Sequence, residues 1–428
     1  MNISIFIVLL IAVAIGLGFY FKINIGLFGM FFAYLVGAFV LDMKVKSIIN
    51  LWPINLFFTI MTITFFYGFA VSNGTLEKVA TKTVYATRKA TFLIPVVCYF
   101  LAFIMTAVGP GPYAVYVFLA PIIMAISDEI KMNKILAAII VVSGVVAGCF
   151  SNYGVGGAIT RGYIEAAGYA ALAEQYTSRV FWNTFLAETI LFIAAYIFSK
   201  GYKVASTEIK KPEPFTSKQK ITLILMFGAI GFVIIPSTLA SFIPHSTILA
   251  LLKAKLDISF VSIFAALFAI FFKVGSEKEA LKQVPWNTII LISGISMLIS
   301  VAVEAGSIDL LAHWFSTRTS TASAPIILSL VAGTMSFFAS TLGVVMPTLY
   351  PIVEGVANAT GLAPTTLFSI ITISGSFVGI SPFSSGGALT LTGVTDEETR
   401  DKLFKQLLII PFVSLALAIV LLLCGVIR

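Results

Sequence analysis

Two stretches of this chain are copies of one another, 230 residues apart, and both are apolar segments interrupted by glycine, serine and proline. From Met105 to Gly162, TAVGPGPYAVYVFLAP leads into an apolar run that breaks at FSNYGVGGAITRG. From Met335 to Gly393, ASTLGVVMPTLYP leads into one that breaks at ISPFSSGGALTLTG. The shared register sets Pro121 on Pro351, Ser151 on Ser381 and Thr160 on Thr390. It also sets Gly156, Gly157 and Ala158 on Gly386, Gly387 and Ala388. One such break in each half of an apolar chain is the mark of a transporter whose binding site lies between internal repeats.

Composition agrees with a membrane setting. The 428 residues are 59% hydrophobic and 11% charged, where a soluble domain carries roughly 25% charged residues. Apolar runs this numerous and this long define an integral membrane protein. Two histidines and three scattered cysteines (Cys98, Cys149, Cys424) leave no metal or disulfide framework, and the cysteines read as small packing residues. The net charge of +8 comes from lysine-rich loops, above all SKGYKVASTEIKKPEPFTSKQK at 199–220, rather than from a nucleic-acid surface. The segment Asn2–Phe21 has no basic residue before it and Lys22 after it, the reverse of a signal peptide, so it reads as a retained first span.

The expected first repeat, 1–199, has scaffold spans at 2–21, 25–42 and 52–72, then a polar amphipathic stretch at 73–90. The apolar block 91–127 is cut at its centre by Gly109-Pro110-Gly111-Pro112. Arms of about 17 residues favour a re-entrant hairpin over two tight spans. A broken span at 134–172 and a span at 180–199 complete the half. A linker at 200–220 leads to the second repeat, 221–428. There the scaffold covers 221–304, with spans at 221–243, 257–273 and 284–304. An amphipathic stretch at 307–321, a hairpin at 324–357, a broken span at 364–392 and a last span at 403–427 follow. At an offset of 232, Pro53, Asn55, Ala70, Val71 and Gly74 match Pro285, Asn287, Ala302, Val303 and Gly306.

Five crossings and one hairpin per half make an odd number, so the second repeat must be inverted in the membrane. With the N- and C-termini outside and the 200–220 loop cytoplasmic, 19 of the 27 Lys and Arg residues fall in inside loops. The expected fold is therefore an all-α polytopic membrane protein of two inverted repeats, set in the cell (inner) membrane.

Non-helical backbone persists at mid-membrane only where protein buries it or a wet cavity receives it. The two hairpin tips and two unwound segments should therefore converge. Their helix N-termini favour an anion, which nominates Gly111, Pro112, Tyr113, Asn152, Ser340, Thr341, Ser384 and Ser385 for substrate. Freed carbonyls and hydroxyls suit a small hard cation, which nominates Gly109, Ser151, Asn152, Gly156, Gly157, Thr341, Ser381, Ser384 and Gly386. Arg161 has two readings: it faces the cavity and meets a substrate carboxylate, or it pairs with Glu165 at i,i+4. Its counterpart in the other repeat is Leu391. Asp128, Glu129 and Glu354 read as solvated membrane-edge groups, with proton relay as the alternative. His245 and His313 fall in loops.

With these residues in view, the chain resembles the MatC-like dicarboxylate carriers, in the divalent-anion/sodium symporter group of the ion-transporter superfamily. The most specific element is GISPFSSGGALTLTG (379–393). The resemblance implies a homodimer with a fixed scaffold of spans one to three from each half. It implies a moving block of hairpins and broken spans, elevator-type movement, and connecting arms at 73–90 and 307–321. It places sodium and carboxylate sites at the hairpin tips and unwound loops. The wider group carries Ser-Asn-Thr at both tips, whereas here Gly111-Pro112-Tyr113 and Thr341-Leu342-Gly343 stand ten residues before the hairpin prolines.

The expected function is secondary active transport of a small organic anion, a three- or four-carbon dicarboxylate, with Na⁺ or H⁺ as coupling ion and no other cofactor. An inorganic-oxyanion carrier or a cation/proton antiporter is the nearer alternative. An intramembrane enzyme is disfavoured, because no nucleophile with a base and no metal-ligand cluster lies in an expected span.

Overall fold

The computed structural model describes residues 9–427 except 11, 12, 15, 19, 110, 205–210, 244, 245, 307–319 and 395. His245, His313 and nearly all of the expected 307–321 arm lie outside the described residues. Among the described residues the secondary structure is entirely helical.

The first half supplies α1 (Ile25–Phe39), α2 (Ile54–Ser72), α3 (Thr75–Ala86), α4 (Ile94–Ala107) and α5 (Pro112–Glu129). It continues with α6 (Lys134–Cys149), α7 (Val155–Ile164) and α8 (Ala173–Phe198). The second half supplies α9 (Ser217–Phe242), α10 (Ile258–Phe271), α11 (Trp286–Glu304) and α12 (Ala324–Phe338). Then come α13 (Pro364–Val378), α14 (Ser385–Thr392) and α15 (Glu397–Leu423). Between α12 and α13 lies a returning arm, Thr341–Thr360, bent by 120° from α12. Pro347 and Pro351 each open a new short turn of that arm, because a proline has no N–H to continue the preceding helix.

Five helices, or six counting the bent pair, are long and apolar enough to cross a membrane among the described residues. α1 and α10 are shorter than the apolar runs that announced them, at 15 and 14 residues. At 1.5 Å per residue they reach about 22 Å, short of the roughly 30 Å hydrocarbon core of a bilayer. α8 and α15 begin before their apolar runs, at Ala173 and Glu397. Capping sets the start of α15: the Thr399 N–H donates to the Asp396 carboxylate at 2.8 Å, and the Thr399 hydroxyl, with this N–H, holds the carboxyl below its usual range.

The repeat is visible element by element. α2 and α11 start and end 232 residues apart, and each is followed by a left-handed glycine, Gly74 (φ 71°) and Gly306 (φ 68°). Only glycine takes that conformation without strain. The scaffold pairs across the repeats, α1 against α11 and α10 against α2. The first pair is held close by glycine: a Cβ on Gly26 would strike the Ile290 carbonyl, and one on Gly29 the Gly294 carbonyl. Positions 26 and 29 thus meet 290 and 294, so α1 and α11 run in the same direction. α1 is the second span of its repeat and α11 the third. Successive spans alternate in direction, so repeats of like orientation would set these two antiparallel. Their parallel alignment requires the second repeat to be inverted.

The hairpin arms and broken helices pack on one another as a second body: α4 on α6, α12 on α13, α6 on α8 and α8 on α13. Gly294→Val overpacks the parallel crossing and should cost about 1–3 kcal/mol of stability. Gly228→Ala, where an added Cβ meets nothing within 4 Å, should leave the unfolding midpoint unchanged. Thermal unfolding in detergent, followed by loss of monodispersity, compares the two.

Candidate functional site

At the first tip, Gly111 takes φ +89° and Pro112 opens α5, where its missing N–H is not needed. At the second tip, Ser340 caps the returning arm, with the Gly343 N–H donating to Ser340 Oγ at 3.2 Å. The two unwound segments use one device twice. Tyr153 N–H donates to Ser151 Oγ at 3.3 Å, and Phe383 N–H to Ser381 Oγ at 3.2 Å. Thr160 and Thr390 each donate to the carbonyl four residues back, Gly156 and Gly386, at 2.8 Å. A Cβ on Gly157 would collide with the Ser151 carbonyl, and one on Gly387 with the Ser381 carbonyl. The paired glycines are therefore a steric requirement of the break itself.

The breaks meet. Tyr113 Oη and Ser340 Oγ, from opposite tips, lie 2.8 Å apart. Tyr163 Oη on α7 donates to the Leu342 carbonyl at 3.0 Å. Ser381 Oγ and Ser384 Oγ donate to the Phe337 and Ala339 carbonyls, at 2.8 and 3.3 Å. A cavity of about 50 Å³ is enclosed by Pro112, Tyr113 and Tyr116 from the first tip, and by Ser340, Thr341 and Leu342 from the second. Cys149 and Phe150 close it at the first unwound segment, and Ser376, Gly379, Ser384, Ser385 and Gly386 at the second. No charged side chain lines it. The N-termini of α5 and α14 and the start of the second tip's returning arm border it, and helix N-termini carry a partial positive charge. By volume it takes a bare ion, about three waters or one end of a larger anion whose remainder extends into the adjoining spaces that Tyr113 also lines.

Larger spaces flank it. One of about 190 Å³ separates Gly111, Tyr113, Val155 and Leu342 from the scaffold residues Ile60, Thr64 and Thr288, with Lys282 at its rim. Another of about 940 Å³ lies between Tyr113, Phe383 and Ser385 on one side and Asn287, Thr288 and Lys22 on the other. Tyr113 lines all three.

Of the residues nominated from sequence, Pro112, Tyr113, Ser340, Thr341, Ser384, Ser385 and Gly386 border the central cavity, and Gly111 borders the adjoining one. Ser151, Gly156, Gly157 and Ser381 form its backing. Gly109 packs on the Met105 carbonyl. Asn152 is directed to α8, donating to Ser178 Oγ at 2.7 Å. Arg161 is not brought to the breaks: its Nε lies 3.8 Å from Glu165 Oε1, and both side chains are about half exposed. That distance is the helical i,i+4 pair. Asp128 is held by Lys134 at 2.7 Å. Sequence reasoning overlooked Tyr116, three residues after Tyr113 on α5, and Ser376, three before Gly379. Helical spacing from the nominated residues was the available signal.

Broken helices from two repeats meet at one cavity with wider voids on either side, the arrangement of a carrier's binding site between internal repeats. Residues 1–149 match the family model "Dicarboxylate carrier protein MatC N-terminus", and residues 248–427 match the model "Citrate transporter". No curated protein matches the chain. Among solved structures, the Alcanivorax borkumensis YdaH transporter, described as revealing an unusual topology, aligns with 99% of this chain over 99% of its own. That alignment has 10% identity and a TM-score of 0.53, so it is a likeness of fold. The two halves are thus similar to dicarboxylate- and citrate-carrier family models, and the chain is a multi-pass membrane protein.

If the Tyr113–Ser340 contact joins the tips, a double-mutant cycle of Tyr113→Phe and Ser340→Ala should give a coupling of about 1 kcal/mol. Denaturant unfolding of the four proteins measures it.

Proposed function

We propose that the chain is a secondary active transporter for a small organic anion, a three- or four-carbon dicarboxylate, coupled to Na⁺ or H⁺. The observation that carries this reading is the single cavity bordered by all four backbone breaks, positive by helix N-termini and without a fixed cationic side chain. A carboxylate held by N–H groups and hydroxyls binds without the strong pairing that would prevent its release. The Ser151 and Ser381 hydroxyls and backbone carbonyls of the unwound segments offer oxygen ligands to a coupling cation, although the carbonyls of Ser151, Gly154, Gly379, Ser381 and Ser384 already accept backbone hydrogen bonds.

Movement follows from the division into two bodies. The central cavity lies wholly within the block of hairpins and broken helices. The spaces of about 190 Å³ and 510 Å³ lie on the seam between that block and the scaffold. Such a seam supports an elevator-type displacement of the block. A homodimer in the inner membrane, with both termini outside and the 200–220 loop cytoplasmic, completes the reading. The citrate-transporter match over 248–427 favours a tricarboxylate as the second cargo to test.

Uptake of labelled malonate, succinate and citrate into proteoliposomes, under separate inward Na⁺ and H⁺ gradients, tests the assignment. A dicarboxylate should accumulate under one gradient. Gly157→Ala and Gly387→Ala should each reduce that uptake at least about tenfold, because misplacing a binding group by an ångström has effects of that order. No uptake of any of the three anions under either gradient would remove the cargo assignment.

A further inference from the structure

Glu188 lies deep in α8, about 22 Å from its start and 15 Å from its end. It is 1% exposed, and its Oε1 has no hydrogen-bond partner. Five buried side-chain polar atoms lack a partner among the described residues, and three belong to this helix: Thr177 Oγ1, Thr184 Oγ1 and Glu188 Oε1. Spacings of seven and four residues place them on one helical face. All three residues are buried. A single orphaned hydroxyl is ordinary, but an aligned row ending in a carboxylate has no packing explanation.

The groups around Glu188 are neutral in type. The Ser143 hydroxyl on α6 faces the carboxylate. The titratable groups within electrostatic range of it are two phenols, Tyr99 on α4 and Tyr116 on α5. Of the cations on α8 and on the helices packed against it, Lys134, Arg161 and Arg400 pair with Asp128, Glu165 and Glu397, and Arg179, Lys203, Lys402 and Lys405 are exposed. An ionised carboxylate buried in apolar surroundings without a counter-charge is strongly unfavourable. A positive charge must accompany it, and the smallest is a proton on the carboxyl itself. Intramembrane carboxylates of this kind mark proton or ion pathways.

The position also bears on the site. Tyr116, which borders the central cavity, lies within electrostatic range of Glu188. On the neighbouring turn, Asn183 donates to Ser369 on α13 at 2.8 Å. α6 and α13 are the helices that end at the two unwound segments. A change of charge at Glu188 is therefore felt by both broken helices.

We propose that Glu188 is a proton-binding site of this carrier, approached along Thr177 and Thr184, through which proton movement is coupled to transport. The step is a reversible protonation: the carboxylate accepts one proton from water on one side and returns it to water on the other. The coupling part rests on the transport reading above, whereas the proton-binding part does not.

Two measurements test it. In pH-difference infrared spectra of the purified protein, a protonated-carboxyl band should titrate, vanish in Glu188→Gln and shift in Glu188→Asp. In proteoliposomes, Glu188→Gln should keep cargo exchange at zero gradient within about threefold of wild type but lose at least about tenfold of the uptake driven by an inward proton gradient. Glu188→Asp should retain a gradient response with an altered pH profile. Gradient-driven uptake by Glu188→Gln within twofold of wild type would overturn the coupling role. The absence of any band dependent on Glu188, or a carboxylate band that responds to Na⁺ and not to pH, would overturn the proton site. If wild type carries none of the anions tested, the transport reading fails while the infrared result still decides proton binding.

Discussion

Backbone N–H and C=O groups have no water to turn to inside a bilayer, and this chain leaves its helices four times within apolar segments. Every one of those interruptions has to be closed by other protein groups. Serine hydroxyls do much of that work, Ser340 and Ser381 accepting from amides two or three residues on, and Ser381 and Ser384 donating to carbonyls of the second tip. The tips in turn hold one another through Tyr113 and Ser340. What remains where the last of these groups face inward is a cavity bordered by helix starts and hydroxyls.

Inversion of the second repeat gives that site its shape. The scaffold exchanges partners, α1 with α11 and α2 with α10, so neither half is a separable unit. Close approach at Gly26, Gly29 and Gly294 locks the first exchange, since in lipid it is small residues and dispersion contacts that hold helices together. The repeats nevertheless differ in detail. Pro121 sits within an unbroken α5, whereas Pro347 and Pro351 divide the corresponding arm, and Arg161, Asn152 and Glu188 belong to the first half alone. Asymmetry of this kind lets one half carry a task the other does not.

The legible part of the fold is the part with local causes. Apolar length announced the spans, and the twin GG breaks announced the unwound segments, since a Cβ at Gly157 or Gly387 has nowhere to go. Hydropathy was a poorer guide to helix ends. α1 and α10 stop short of their apolar runs, and α15 starts before its own because Asp396 caps it. For the candidate site, sequence could nominate residues but not aim them. Asn152 turned to Ser178 and Arg161 to Glu165, while Tyr116 and Ser376 came to the cavity without any signal beyond helical spacing.

By itself the sequence determined that this chain is a membrane protein, that it is built from two repeats, and where its backbone must break. Those properties depend on hydrophobic length and on steric limits at single residues. Only the tertiary structure decided which breaks face one another, that Tyr113 spans the two tips, and that a carboxylate at position 188 is buried with one oxygen unpartnered among the described residues. Facing, sealing and pairing depend on side chains up to 227 residues apart in the chain, and no local pattern records which of them will meet.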